Sequence, residues 1–283
     1  MSFPDTDQHP TTRDLYTAIG YTRVLSEADE DFLVFSDELD KQRFPFDPRQ
    51  AMVYDVAGNE SHFSLDRCGF QWYKHLSSMA AEQDFEDELK IETIYIPEME
   101  KFLREVLKAS HVTIFNHFVR REGCHPGPVP EFHLDSSIAF AQTLAQYYKT
   151  TRRLSHMNVR EMHVNVWRPL RPVLNSHLAL LDACTLVPDV DEIPLTFVSQ
   201  NPRNPRRSTH YLRYSPWHRF FYRSEMGTED VIIFKTFDSK VDGRARRVAH
   251  GSVKDPQVPE NLCPGRASIE LRAMVFFEGE SRE

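Results

Sequence analysis

Arg266-Ala267-Ser268-Ile269-Glu270-Leu271-Arg272-Ala273-Met274-Val275-Phe276-Phe277 is the stretch on which the reading of this chain turns. Successive side chains of a strand point to opposite faces. Arg266, Ser268, Glu270 and Arg272 therefore share one face, and Ala267, Ile269, Leu271 and Ala273 the other. An inward guanidinium with a hydroxyl two residues on makes a two-point site for a carboxylate. Other strand candidates surround it. Met162-His163-Val164-Asn165-Val166-Trp167 alternates in the same way, Val231–Phe234 and Val112–Val119 are apolar and β-rich, and Met52–Val56 runs into the turn signal Gly58-Asn59. Two helices punctuate the strands. One runs from Pro97 to about Ala109, with Met99, Phe102, Leu103, Val106 and Leu107 at three- and four-residue steps. The second runs from about Ser136 to Arg153, with Leu144, Tyr147 and Tyr148 on one side. Many short strands with two or three helices predict a mainly β fold, a barrel or sandwich with flanking helices.

The chain has 283 residues and 40% hydrophobic content, enough for one large packed core. Its 42 acidic against 34 basic residues leave a net charge of −8, which argues against a general nucleic-acid binder. No apolar run approaches the roughly 20 residues needed to cross a bilayer. The start, MSFPDTDQHP, has neither the charged nor the apolar part of a signal peptide, so a cytoplasmic location is expected. The four cysteines lack CxxC spacing. No repeat or Gly/Ser linker divides the chain. Residues 1–50 read as an extension packing on the core, and residues 51–283 as a single domain. The oligomeric state is not legible.

Thirteen histidines are many for this length, and spacing has to sort them. In Phe132-His133-Leu134-Asp135, an extended backbone would point His133 and Asp135 the same way, so both could grip one divalent ion. A second histidine would complete a two-histidine, one-carboxylate triad, which leaves open positions on Fe(II). His250, followed by a turn-rich loop, lies 16 residues before Arg266, and a strand, loop and returning strand would set the two side by side. His163, His177, His210 and His218 are the competitors for the third position, with nothing in their spacing to tie them to the anion site. The carboxylate at Arg266 and Ser268 would then be the far end of a dicarboxylic acid whose near end chelates the metal. No Ser-His-Asp arrangement or phosphate-cradling glycine loop is present.

These segments also carry a resemblance. The chain resembles the hydroxylase/desaturase family of fungal secondary metabolism, which includes gibberellin-desaturase-like enzymes and relatives of the cephamycin methoxylation proteins. That family is a branch of the Fe(II)/2-oxoglutarate-dependent oxygenases. The matching stretches run in order from Asp55–Phe70 through Val112–His117 with Arg120, Phe132–Asp135, Asn165–Leu170 and Leu178–Asp182. They continue with Pro216–Arg219, Tyr222, Phe234-Lys235, Asp238-Ser239, His250 and Arg266–Arg272. The resemblance implies a double-stranded β-helix (a jelly-roll, cupin-like core), with His133, Asp135 and His250 on iron and with Arg266 and Ser268 on 2-oxoglutarate. It implies O2 as oxidant, and hydroxylation or desaturation of an unactivated C–H bond, with release of succinate and CO2. Two departures stand out: Val173-Leu174-Asn175-Ser176-His177 replaces the usual Asp and Pro after the Arg-Pro-Leu turn, and Phe220 stands where a Trp is expected. Neither falls on an implied ligand, and both are expected to reshape the substrate pocket.

For the substrate, a small-molecule natural product is expected, and Trp167, Arg168, His218 and Tyr222 are candidates for its pocket. From Arg203 to Arg247 the chain holds eleven Lys/Arg and five acids, a basic excess that would suit an anionic substrate at the pocket mouth. No membrane or nucleic-acid partner is expected. Two other readings fit the residues: a metal-dependent cupin-type isomerase or lyase, and a non-catalytic partner protein of a biosynthetic pathway.

Overall fold

A computed structural model describes residues 13–23, 33–36, 46–151, 159–198, 206–259 and 264–280. In chain order the strands are β1 (Leu15–Thr22), β2 (Leu33–Ser36), β3 (Phe46–Asp55), β4 (Phe70–Lys74), β5 (His111–Arg121), β6 (His133–Leu134) and β7 (Arg160–Pro169). They continue as β8 (His177–Leu181), β9 (Glu192–Val198), β10 (Arg206–Leu212), β11 (Phe220–Tyr222), β12 (Asp230–Asp238), β13 (His250–Val253) and β14 (Ala267–Phe277). The helices are α1 (Glu88–Lys90), α2 (Ile96–Leu107) and α3 (Ile138–Thr151).

Two sheets face each other. The larger runs β1-β3-β11-β8-β13-β6-β10-β9-β2 and the smaller β4-β12-β7-β14-β5. The larger sheet curls until β1 meets the chain just before β6, where Phe132 N–H donates to Gly20 O at 2.8 Å. This is a jelly-roll core, as the resemblance implied. Every strand anticipated from alternation is present. Cys68, Cys124 and Cys184 are free thiols. No described helix is long and apolar enough to cross a membrane.

The alternation read from β7 and β14 explains how the small sheet is used. Its odd β14 positions and the even β7 positions (Ile269, Leu271 and Val275; Met162, Val164 and Val166) form one apolar cluster with Met99, Phe102 and Leu103 of α2. Burying such side chains is worth about 1.5–3 kcal/mol each, which fixes the sheet's outer face. The opposite positions are thereby forced inward whatever their polarity. The helical run begins earlier than Pro97, at Glu88, because Asp87 caps it by accepting from Leu89 N and Lys90 N. A π-helical turn, Ile91–Tyr95, leads into α2, which ends where Lys108 turns left-handed (φ 55).

One helix face differs from expectation. In α3 the residues buried are Ala141, Ala145 and Lys149, while Tyr147 faces solvent. Small side chains at four-residue steps let the helix approach the sheet closely, and Lys149 reaches Glu161 at 2.5 Å. Leu144 and Tyr148 pack at its margin against Met274 and Phe276. Residues 152 and 153 of the expected helix lie outside the described residues.

Candidate functional site

His133 and His250 meet because their strands pair. β6 and β13 are antiparallel neighbours with His250 directly opposite His133, and the ring centroids are 4.5 Å apart. Gly251 permits this approach, since a Cβ there would sit 2.6 Å from the Phe132 ring. β6 is only two residues long, so Asp135 stands in the bend just beyond it rather than within an extended strand. That bend still turns its carboxylate back: Asp135 Oδ1 is 3.7 Å from His133 Nε2, and Oδ2 is 4.0 Å from His250 Nε2. One donor atom from each of the three residues lies within 4.8 Å of the others.

The hydrogen bonds settle which nitrogens point at the shared space. His133 Nδ1 is 2.8 Å from Glu131 O and His250 Nδ1 is 3.5 Å from Val248 O. Each ring thus donates backwards to a carbonyl two residues earlier, and each keeps Nε2 with its lone pair free. Burial, and then the neighbouring His250, pushes His133 down to about 4, and burial lowers His250 as well. Both imidazoles are neutral at pH 7, as a metal requires. Burial acts to raise the Asp135 carboxyl, but the Arg272 guanidinium overrides it, and Asp135 is held well below the usual carboxylate range.

A narrow polar cavity opens beside this cluster, lined by His133, His250, Trp167, Arg266, Ser252 and Arg120 among others. His250 and Arg266 were expected on adjacent strands joined by one loop. Instead β13 belongs to the large sheet and β14 to the small one, and the two residues face the cavity from opposite walls. Arg266 is buried, its Nη1 donating to Ser176 O at 2.7 Å, with its Cζ 5.5 Å from the Trp167 ring centre. Burial first, and the charge of Arg120 second, lower its pKa to about 10, so it stays cationic at pH 7. Arg266 Nε and Ser268 Oγ are buried without a hydrogen-bond partner. Two such orphaned donors on one inner face invite an anion.

Of the four pocket candidates, Trp167 lines the cavity and the other three lie elsewhere. Arg168 points to the outer face, donating to Tyr95 Oη at 2.9 Å and to the carbonyls of His75 and Thr228. His218 is packed against Tyr21 and Asp191, and Tyr222 donates to Arg13 O. His163, His177 and His210 do not join the cluster among the described residues. The departure at residues 173–177 does reach the site: Ser176, with φ 56, supplies the carbonyl that holds Arg266. Of the eight basic side chains of this stretch that are described, five are paired with carboxylates. Arg219 meets Asp182, Arg223 meets Glu60, Lys235 meets Asp238, Arg244 meets Asp242 and Arg247 meets Glu192. Arg203 lies outside the described residues, as do the side chains of Arg206 and Arg207. Sequence reasoning does not single out Asn165, Glu270, Arg272 and Arg120 as site residues. The signal for the first three is their shared strand face with Trp167 or with Arg266 and Ser268.

Known proteins share this architecture. The family described as YDMC: Oxidoreductase/YMDC permease-like domain matches residues 20–276. The hydroxylase/desaturase efuI of Hormonema carpetanum is 28% identical, with 85% of this chain and 88% of that protein covered. The Fe(II)/2-oxoglutarate-dependent dioxygenase nvfI of Aspergillus novofumigatus is also 28% identical, over 82% and 85%. A solved tryptophan-to-phenylalanine variant of the iron and alpha-ketoglutarate-dependent endoperoxidase NvfI superposes with a TM-score of 0.81 at 25% identity, covering 95% of this chain and 99% of that one. The chain therefore belongs to the YDMC oxidoreductase/YMDC permease-like domain family, and its relatives are fungal hydroxylase/desaturases and Fe(II)/2-oxoglutarate-dependent dioxygenases.

Proposed function

We propose that the protein is a non-haem Fe(II)/2-oxoglutarate-dependent oxygenase that hydroxylates or desaturates an unactivated C–H position of a small-molecule natural product. The observation that carries this reading is the convergence of His133, Asp135 and His250 on one space, beside a cavity lined by Arg266, whose Nε is buried without a hydrogen-bond partner. Two neutral imidazoles and one carboxylate are the donor set suited to Fe(II) with open positions. When bound, iron with 2-oxoglutarate and O2 supplies the oxidising power for such a bond, with succinate and CO2 released.

The chain's own residues do the rest. His133, Asp135 and His250 are the proposed metal ligands. Arg266 and Ser268 are the proposed anchor for the distal carboxylate of 2-oxoglutarate, offering Nε and Oγ. Trp167, almost fully buried, forms a wall that excludes water from the reacting centre. An anionic substrate is the finer part of the proposal, supported by Arg120, which lines the cavity and donates to the Gly127 carbonyl at 3.0 Å. A division into an extension of residues 1–50 and one oxygenase domain of 51–283, and a cytoplasmic location, belong to the same reading. β1 (Leu15–Thr22) pairs with β3, a strand that runs across the 50/51 boundary, so the extension is joined to the core through the large sheet.

Anaerobic addition of Fe(II) and 2-oxoglutarate tests the reading. The weak visible charge-transfer band of the chelate should appear in the wild type and be absent in His133→Ala. Arg266→Ala should need about 10–100-fold more 2-oxoglutarate, the worth of a charge-assisted two-point contact. A wild-type protein without the band, or one that turns substrate over without forming succinate, would remove the oxygenase reading in favour of an isomerase, lyase or binding role.

A further inference from the structure

The inner face of the small sheet holds charges that the reading above leaves without a task. Glu270 and Arg272 sit on β14 between Ser268 and the apolar end of the strand, and both are largely buried. Arg272 Nη2 donates to Asp135 Oδ1 at 2.7 Å, and its Nε lies 3.4 Å from Glu270 Oε1. Its Cζ lies 4.9 Å from the centre of the Phe118 ring on β5. From the neighbouring strand β7, Asn165 Nδ2 donates to the other oxygen, Asp135 Oδ2, at 2.5 Å. Arg272 and Asn165 stand directly opposite each other in the β7–β14 ladder. Each carboxylate oxygen of Asp135 therefore faces one imidazole from the large sheet and one donor from the small sheet.

The two donors are not equivalent. Asn165 brings a neutral amide, while Arg272 brings a full positive charge in a buried setting, where a charge-assisted bond is roughly twice as strong as a neutral one. A cation competing for this carboxylate meets much less resistance at Oδ2 than at Oδ1. We propose that Arg272, steadied by Glu270 and Phe118, is a positioning residue that reserves Asp135 Oδ1, so that the carboxylate serves the metal through Oδ2 alone. The consequence is a free coordination position. A carboxylate that bound through both oxygens would occupy two sites of an octahedral ion, leaving two open where the one-oxygen arrangement leaves three. This inference rests on the metal-site reading above and adds to it which oxygen binds and what enforces the choice.

Water-proton relaxation by Mn(II) bound to the otherwise metal-free full-length protein reads the number of open positions directly. In Arg272→Met, the freed Oδ1 should close one of three positions, and the relaxation enhancement per bound ion should fall by about a third. Arg272→Lys, which keeps the charge at Oδ1, should match the wild type. If Arg272→Met does not fold, the double variant Glu270→Gln/Arg272→Met also removes the buried Glu270 charge that Arg272 had faced, and should show the same fall. An enhancement in the folded variant equal to that of the wild type, or a stability loss with no spectroscopic change, overturns the proposal. Failure of the wild type to bind Mn(II) at all would instead remove the metal-site reading itself.

Discussion

Two buried histidine–aspartate assemblies stand out among the described residues, one open and one closed. At the first, His133 and His250 each give Nδ1 to a backbone carbonyl and leave Nε2 turned toward Asp135 and a cavity. At the second, His218 Nδ1 lies 3.2 Å from Tyr21 Oη and its Nε2 lies 3.2 Å from Asp191 Oδ2, with the Tyr21 ring stacked alongside at 5.7 Å. Burial lowers the imidazole pKa at both. What differs is how near a side-chain oxygen stands to the ring nitrogens: 3.2 Å at both nitrogens of His218, but 3.7 and 4.0 Å at Nε2 of His133 and His250. Residue type and burial do not make a ligand site; an unengaged lone pair facing a space does.

The largest test of that contrast is removal of the carboxylate from each assembly. Asp135→Ala should weaken anaerobic Fe(II) binding by more than about 100-fold, beyond the 10–100-fold typical of a ligand's supporting partner. Asp191→Ala should leave Fe(II) affinity unchanged. Equal losses in the two variants would break the distinction between open and closed.

A smaller effect is expected at the closed assembly alone. His218→Phe keeps the ring packing on Tyr21 and Phe220 but strands the Tyr21 hydroxyl and leaves the Asp191 carboxylate with the Val187 N–H in place of its imidazole contact. A loss of about 1–2 kcal/mol in urea unfolding should follow, with no change in metal binding.

The smallest effect concerns pH. Burial pushes His133 down to about 4 and the outlying His163 to about 3, from an ordinary value near 6.5. The unfolded chain therefore takes up protons below pH 6.5 that the folded chain refuses. The stability each neutral imidazole contributes is complete above 6.5 and is lost as pH falls toward its folded value. By pH 5.5 the loss should be about 1 kcal/mol for each imidazole. Saturating Mn(II) should raise stability at every pH but leave this pH slope unchanged, because the protons are taken up by the unfolded chain. Unfolding curves from pH 7 to 5.5 in the wild type and in His163→Phe, which should lose the His163 share alone, check the assignment.

Much of the fold is legible in the sequence because a strand's two faces alternate strictly. β7 and β14 are readable residue by residue, and their apolar faces do lie under α2. The face of α3 is not, since an alanine stripe with a buried Lys149 carries less hydrophobic signal than the tyrosines beside it. The substrate-pocket candidates Arg168, His218 and Tyr222 rest on residue type, and type does not say which side of a sheet a residue serves.

By itself the sequence determined which side chains share a strand face: Arg266 with Ser268, Glu270 and Arg272, and Asn165 with Trp167. The two-residue period is a local property of extended backbone and needs no partner. Only the tertiary structure decided that His250 reaches His133 across one ladder while Arg266 arrives from the opposing sheet, and that Arg272 and Asn165 share the Asp135 carboxylate. Those contacts join segments up to 137 residues apart, and they exist only once two sheets have closed on one another at van der Waals distance.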